Sequence, residues 1–180
     1  MKEKGSLLGE GVIGAAALME IAARTAPKSR GEDFIEIRTI SGKTIKELAD
    51  AMIRFGKEKK KSNFDRDGRN VAASEAVVLI GLKNSTSLGL DCGACGHPDC
   101  ASFDKVKPYE GEFRGPFCSY RLVDLGIAIG SAVKTAQMLN IDNRVMYRAG
   151  AAARWMGLVD WDYVLGIPLS ATGKNIYFDR

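Results

Sequence analysis

From Gly11 to Ala26, Val12, Ala15, Ala16, Met19 and Ala23 recur at helical spacing, and Pro27 disfavours helical backbone at Ala26. The pattern predicts a first helix ending there. In DFIEIRTI, Ile35, Ile37 and Thr39 alternate with Glu36 and Arg38, the two-residue period of a half-exposed strand, and Ser41-Gly42 supplies a turn. Thr44 and Glu47 then have the spacing of a capping box, ahead of an apolar stripe of Ile45, Leu48, Ala49, Met52 and Ile53 that predicts a second helix. The polar stretch GKEKKKSNFDRDGRN, residues 56–70, reads as loop or frayed helix. AVVLIGL, residues 76–82, is an unbroken apolar run of strand length and is expected to be a central, buried strand.

After Cys118 the helical period returns in LVDLGIAIGSAVKTAQMLNI, with Leu125, Ile129, Ala132, Val133 and Ala136 on one side. Gly126, Gly130 and Ser131 would permit close packing of this helix. A further helix is expected from about Asn143 to Met156, with Val145, Met146, Ala149, Ala152, Ala153 and Met156 inward and Gly157 as a C-terminal cap. DYVLGIPL reads as a last strand with Pro168 near its end. Strands alternate with helices without internal repeat, which predicts an α/β or α+β class.

A chain of 180 residues is long enough for one self-supporting domain, 1–180, and its 46% apolar and 27% charged content is that of an ordinary folded protein. The longest apolar stretches, near 11–23 and 125–133, fall short of the roughly 20 residues that span a bilayer, so no membrane span is expected. Lys2 and Lys4 precede an Ala-rich segment, but Glu3, Glu10 and Glu20 sit in and around it, unlike an export signal, and a cytoplasmic chain is expected. The formal charge of +4 is small. The lysines at 57, 59, 60 and 61, with Arg66 and Arg69, have no interleaved aromatic platform beyond Phe64; they read as a solvated helix end, and no nucleic-acid partner is expected. Trp155, Trp161 and Tyr163 read as core or edge packing.

The chemistry is concentrated in DCGACGHPDC, residues 91–100, and in Cys118: the spacing is Cys92-x2-Cys95-x4-Cys100-x17-Cys118, and the chain has no other cysteine. A Cys-x2-Cys pair on a loop can direct two sulfurs at one metal centre, and Cys100 and Cys118 can complete it. Gly93 and Gly96 allow positive φ and would leave amide protons to donate to sulfur. Scattered core cysteines, disulfides and a Cys92–Cys95 dithiol each explain less of this spacing. The main rival to an iron-sulfur cluster is tetrahedral zinc, held by four thiolates or by three with His97, in an interaction module without redox activity. His97, the only histidine, reads as a loop residue donating to sulfur more readily than as a ligand. Asp99 is a candidate N-cap of a short helix with Cys100 in its first turn, its positive end toward the cluster, with Lys105, Lys107, Arg114 and Arg121 adding positive charge nearby.

CGACGHPDC with Cys118 resembles the C-x2-C-G-x3-C…C module of corrinoid iron-sulfur proteins, and the whole chain is similar to a family of small ferredoxin-domain-containing proteins of unknown function. The resemblance implies Cys92, Cys95, Cys100 and Cys118 as ligands of a 4Fe-4S cluster. Two positions depart from the module: Asp104 replaces a small residue, and Ser119 replaces the proline that often follows the fourth cysteine. AARTAPKSRGEDFIEI, with AVVLIGL and WDYVLGIPL in order, resembles nitroreductase-like flavoproteins, in which the loop after Ala-Pro lies along FMN. Here Lys28, Ser29 and Arg30 follow Pro27, and the family's later Asn and Gln-Pro-Trp are absent. The resemblances together imply a nitroreductase-like α+β fold with a cysteine-rich cluster segment inserted at 84–120. They imply one-electron transfer to a redox partner protein, with FMN and a homodimer carried by analogy and a linked oxidoreductase activity left open.

Overall fold

The computed structural model describes residues 7–178; Lys2, Glu3 and Lys4, which bear on the export-signal reading, lie outside the described residues. In chain order the helices and strands are α1 (Leu7–Thr25), β1 (Ile35–Ser41), α2 (Lys43–Glu58), α3 (Phe64–Ala72), β2 (Ala76–Leu82), α4 (Cys100–Asp104), β3 (Tyr109–Glu110), β4 (Arg114–Gly115), α5 (Ser119–Met138), β5 (Asp142–Asn143), α6 (Tyr147–Trp155) and β6 (Tyr163–Ser170). The main sheet has the order β1-β2-β6-β5 with every pair antiparallel, and β3 and β4 form a separate hairpin.

Helices cover both faces of the sheet. Met19 and Ala23 of α1 and Leu125, Ala128 and Ala132 of α5 pack on one face. On the other, Leu48, Met52 and Phe55 of α2, Phe64 of α3 and Ala149 and Ala152 of α6 pack with Val77 and Leu79. This explains the unbroken apolar run of β2, all of whose residues are buried: with helices on both faces, neither side of the strand meets water. Half-exposed alternation holds in β1, which lies at the sheet edge and closes the core with Ile35 and Ile40. Contact between α6 and β6 is close enough to require glycine: a Cβ at Gly150 would lie 1.9 Å from the Val164 carbonyl oxygen, and one at Gly166 would lie 2.7 Å from Ala149 Cβ.

Several boundaries differ from the pattern-based expectation. The capping box is absent because α2 starts at Lys43, behind Gly42 with φ 60°, which puts Thr44 inside the first turn; Lys43 pairs with Glu47 at 3.4 Å instead. Residues 56–70 are mostly ordered helix. The apolar face of α3 is only Phe64, Gly68 and Val71, too few to show a period, and buried Asp67 is held by Arg66 and by Arg148 of α6, each at 2.8 Å. The last helix begins at Tyr147, since Met146 is extended and bridges Gly166, and Val145 is turned outward. Gly157, with φ 73°, does cap its end, donating to the Arg154 carbonyl at 3.0 Å.

Candidate metal centre

The cysteine segment leaves the end of β2 and returns at α5. It has an apolar base of its own, in which Leu88, Phe103 and Cys118 are buried together and Cys95 packs against them. Above this base Cys92 is exposed and Cys95 and Cys100 are half-buried, and all four free cysteines line one concavity. Among the described residues no three His, Cys, Asp or Glu side chains stand in metal-ligating geometry, so the cysteines surround this space without converging on one point.

Local bonds explain the loop's shape. Gly93 and Gly96 have φ of 71° and 82°, and the Gly96 N–H donates to the Gly93 carbonyl at 2.9 Å, closing the turn between Cys92 and Cys95. That amide is spent on the turn, which corrects the expectation that both glycine amides serve sulfur. Asp91, at φ 50°, accepts the Cys100 N–H at 2.8 Å and joins the two ends of the motif. Asp99 caps α4 as its spacing predicts, accepting the Ser102 N–H at 2.7 Å. That amide bond, followed by the Ser102 side chain, holds the Asp99 carboxyl below its usual range. His97 packs edge-on to Phe103 with ring centroids 5.5 Å apart and lines the same concavity.

Both departures from the cluster module have structural work. The Ser119 hydroxyl donates to the Ala94 carbonyl at 2.8 Å, tying α5 to the Cys92–Cys95 turn. Asp104 accepts the Ser87 hydroxyl at 2.9 Å, fixing the incoming loop to α4. Cys118 is the N-cap residue of the 20-residue α5, whose start the periodicity placed later. Its sulfur therefore sits at the positive end of a 20-residue helix as well as beside the short α4, favourable for an anionic group.

The electrostatic surroundings otherwise differ from expectation. Arg121 is completely buried and pairs with Glu32 and, at 3.5 Å, with Asp124; it also donates to the carbonyls of Thr86 at 3.1 Å and Ser29 at 3.2 Å. Arg114 pairs with Glu110 at 3.0 Å and Asp162 at 3.7 Å. Neither guanidinium is left as free charge for a cluster. Arg121 instead anchors the loop before β1 and the loop after β2 to α5, a role invisible without the tertiary partners.

A protein of Archaeoglobus fulgidus described only as an uncharacterized protein is 48% identical over 171 residues, 95% of this chain and 92% of its own length. Residues 114–180 match the model of the family described as "Uncharacterized protein containing a ferredoxin domain (DUF2148)". The chain belongs to this ferredoxin-domain family. The matched span includes Cys118, α5 and β6, while the other three cysteines lie ahead of it.

For this family member the fold is that of the nitroreductases. The chain is similar to the FMN-dependent nitroreductase NfnB from Mycobacterium smegmatis, with TM-score 0.58, 11% identity and coverage of 89% of this chain and 78% of that one. It is similar to a nitroreductase with bound FMN from Desulfitobacterium hafniense, with TM-score 0.56, 13% identity and coverage of 97% and 82%. A BluB-like flavoprotein from Clostridium difficile matches with TM-score 0.53, 16% identity and coverage of 97% and 88%. In this ferredoxin-domain chain the loop after Ala26-Pro27 is turned onto its own helices: Ser29 gives both its amide and its hydroxyl to Asp124, at 2.9 and 2.8 Å, and Lys28 bonds the carbonyls of Ala23 and Arg24. Those two donors are engaged within the chain, while the Arg30 guanidinium of the same loop has no hydrogen bond or ion pair among the described residues. No helix among the described residues is long and apolar enough to cross a membrane.

Proposed function

We propose that this chain is an iron-sulfur redox protein in which Cys92, Cys95, Cys100 and Cys118 hold one 4Fe-4S cluster within a segment inserted at 84–120 of a single domain. The observation that carries this is the gathering of every cysteine of the chain around one concavity with an apolar base. The family's ferredoxin character supports it. Four sulfur donors suit an iron-sulfur centre, which supplies one-electron redox chemistry when bound.

The residues have distinct tasks in that reading. Cys118 provides the buried ligand, fixed at the start of α5, and Leu88 and Phe103 keep water from its inner side. Cys92 lies at the exposed rim. Electrons exchanged with a partner protein have their shortest way out on that side. Asp91, Asp99 and Ser119 fix the turns of the loop through bonds to backbone groups, leaving the sulfurs to close on the cluster when it binds.

The likeness to flavoproteins makes FMN the other cofactor to test; Lys28 and Ser29 of the loop after Pro27 are engaged within the chain, and no flavin step is assigned. The deciding experiment is iron, zinc and acid-labile sulfide analysis of anaerobically purified protein, with a flavin extract from the same sample. Iron with equal sulfide and a visible band that bleaches on reduction is expected, and Cys118→Ala should lose both band and iron. Zinc without sulfide, in a colourless protein, would establish the zinc module instead.

A further inference from the structure

A large groove shares no lining residue with the cysteine segment's concavity. It lies between α2, the β3–β4 hairpin and α6 and has a volume of about 760 Å³, within the roughly 300–1,000 Å³ of small-molecule sites. Its walls are aromatic: Phe55, Tyr109, Phe113 and Trp155 all line it. Tyr109 is 77% exposed and Trp155 37%, a large aromatic surface left to water. Phe55 holds the Trp155 ring edge-on at 5.5 Å, and the Arg54 guanidinium stands 5.7 Å from the same ring. Glycine at position 111 lets the Tyr109 ring fold over the hairpin turn, since a Cβ there would meet that ring at 3.0 Å.

The charged side chains that line the groove pair off with one remainder, while Arg54, over the Trp155 ring but outside the lining, has no ion-pair partner among the described residues either. Lys61 pairs with Glu112, and Arg154 pairs with Glu110 at 2.9 Å. Arg154 also donates to the Trp161 carbonyl at 2.8 Å and to the turn carbonyls of Gly111 and Glu112, so its guanidinium is consumed in fastening the hairpin to α6. Lys59 lines the groove with no ion-pair partner among the described residues.

We propose that this groove binds a planar aromatic molecule carrying one negative charge, its ring lying against Trp155 and Tyr109 and its anionic group meeting Lys59. The binding does not depend on the cysteines holding a cluster. Stacking on an aromatic side chain supplies most of the affinity, and the exposed ammonium supplies selectivity for the anion.

Naphthalene-2-sulfonate is the probe, titrated calorimetrically into the full chain, with neutral 2-naphthol and non-aromatic methanesulfonate as comparators. One saturable site for naphthalene-2-sulfonate is expected, with 2-naphthol bound about threefold more weakly and methanesulfonate not at all. Lys59→Ala should weaken the sulfonate about threefold and erase its advantage over 2-naphthol. Trp155→Ala should weaken both aromatic probes roughly tenfold. Tyr109→Ala, at a site exposed enough to leave the fold intact, should weaken them in the same direction and serves if Trp155→Ala fails to fold. Absence of saturable binding, equal binding of methanesulfonate, or affinity unmoved by Lys59→Ala and by the aromatic variants would overturn the assignment.

Discussion

Tyr177 is 1% exposed, and its hydroxyl lies 2.9 Å from the Ser74 hydroxyl, closing the end of the described chain onto α3 and β2. Burial pushes its phenol up to about 12, the Ser74 hydrogen bond opposing the shift and Asp142 and Glu75 adding to it. An unfolded tyrosine ionises near pH 10. Above that value the folded chain keeps a proton that the unfolded chain gives up, so this stabilisation is whole below about pH 10 and is lost as pH rises through about 12. Tyr177→Phe should cost about 1 kcal/mol at neutral pH and then lose less as alkali is added. Urea midpoints for the two proteins should therefore converge above about pH 10 and cross before about pH 12; a constant gap would contradict the linkage. At this scale the sequence was informative where chemistry is local. The cysteine spacing, the Asp99 cap and the positive φ of Gly93 and Gly96 need only near neighbours. Arg121, Asp91, Ser119 and Tyr177 get their roles from residues far along the chain or across a loop, which no spacing displays.

Helix α6 and strand β6 show what sets the elements in place. Ala149, Ala152 and Ala153 keep that helix face flat, and Gly150 lets the backbones approach until a single methyl would meet the Val164 carbonyl at 1.9 Å. The carbonyl belongs to the strand ladder and has no room to retreat. Gly150→Ala should therefore destabilise the fold by at least about 2 kcal/mol, read as a lowered urea midpoint, whereas Gly126→Ala on α5, with open space around the new methyl, should not. Strong periods were legible at this scale: β1 and β2 stand where the apolar residues put them, and so do the bodies of α1 and α5, though both helices begin earlier than the pattern showed. Residues 56–70 were not legible, because α3 has three apolar contacts and satisfies its buried acid through Arg148 of another helix. The N-terminus of α5 was missed for a related reason. Ser119, Tyr120 and Arg121 look polar in sequence, yet Arg121 points inward and is neutralised there by Glu32 and Asp124.

Over the whole molecule, the two large cores sit on opposite faces of the sheet, while the cysteine segment rests on the separate small cluster of Leu88, Phe103 and Cys118. So small an apolar base gives the segment little stability of its own, and metal ligation would supply the rest. If the proposed cluster is bound, its removal by chelation should therefore raise amide exchange and protease cleavage within 84–117 while β2, β6 and α5 keep their protection. Uniform protection with and without chelator would show that the segment stands unaided. The sequence by itself narrowed the class to α/β or α+β, placed the strong helices and strands, and showed the cysteines clustered, because hydrophobic period and short cysteine spacing are local properties; the choice of α+β came from the resemblance to nitroreductase-like proteins. Only the tertiary structure decided that these sulfurs share one concavity at the head of α5, that Arg121 is a buried anchor and that Lys59, beside an aromatic groove, has no ion-pair partner among the described residues. Each of those depends on long-range contacts that exist only once the helices have closed over the sheet.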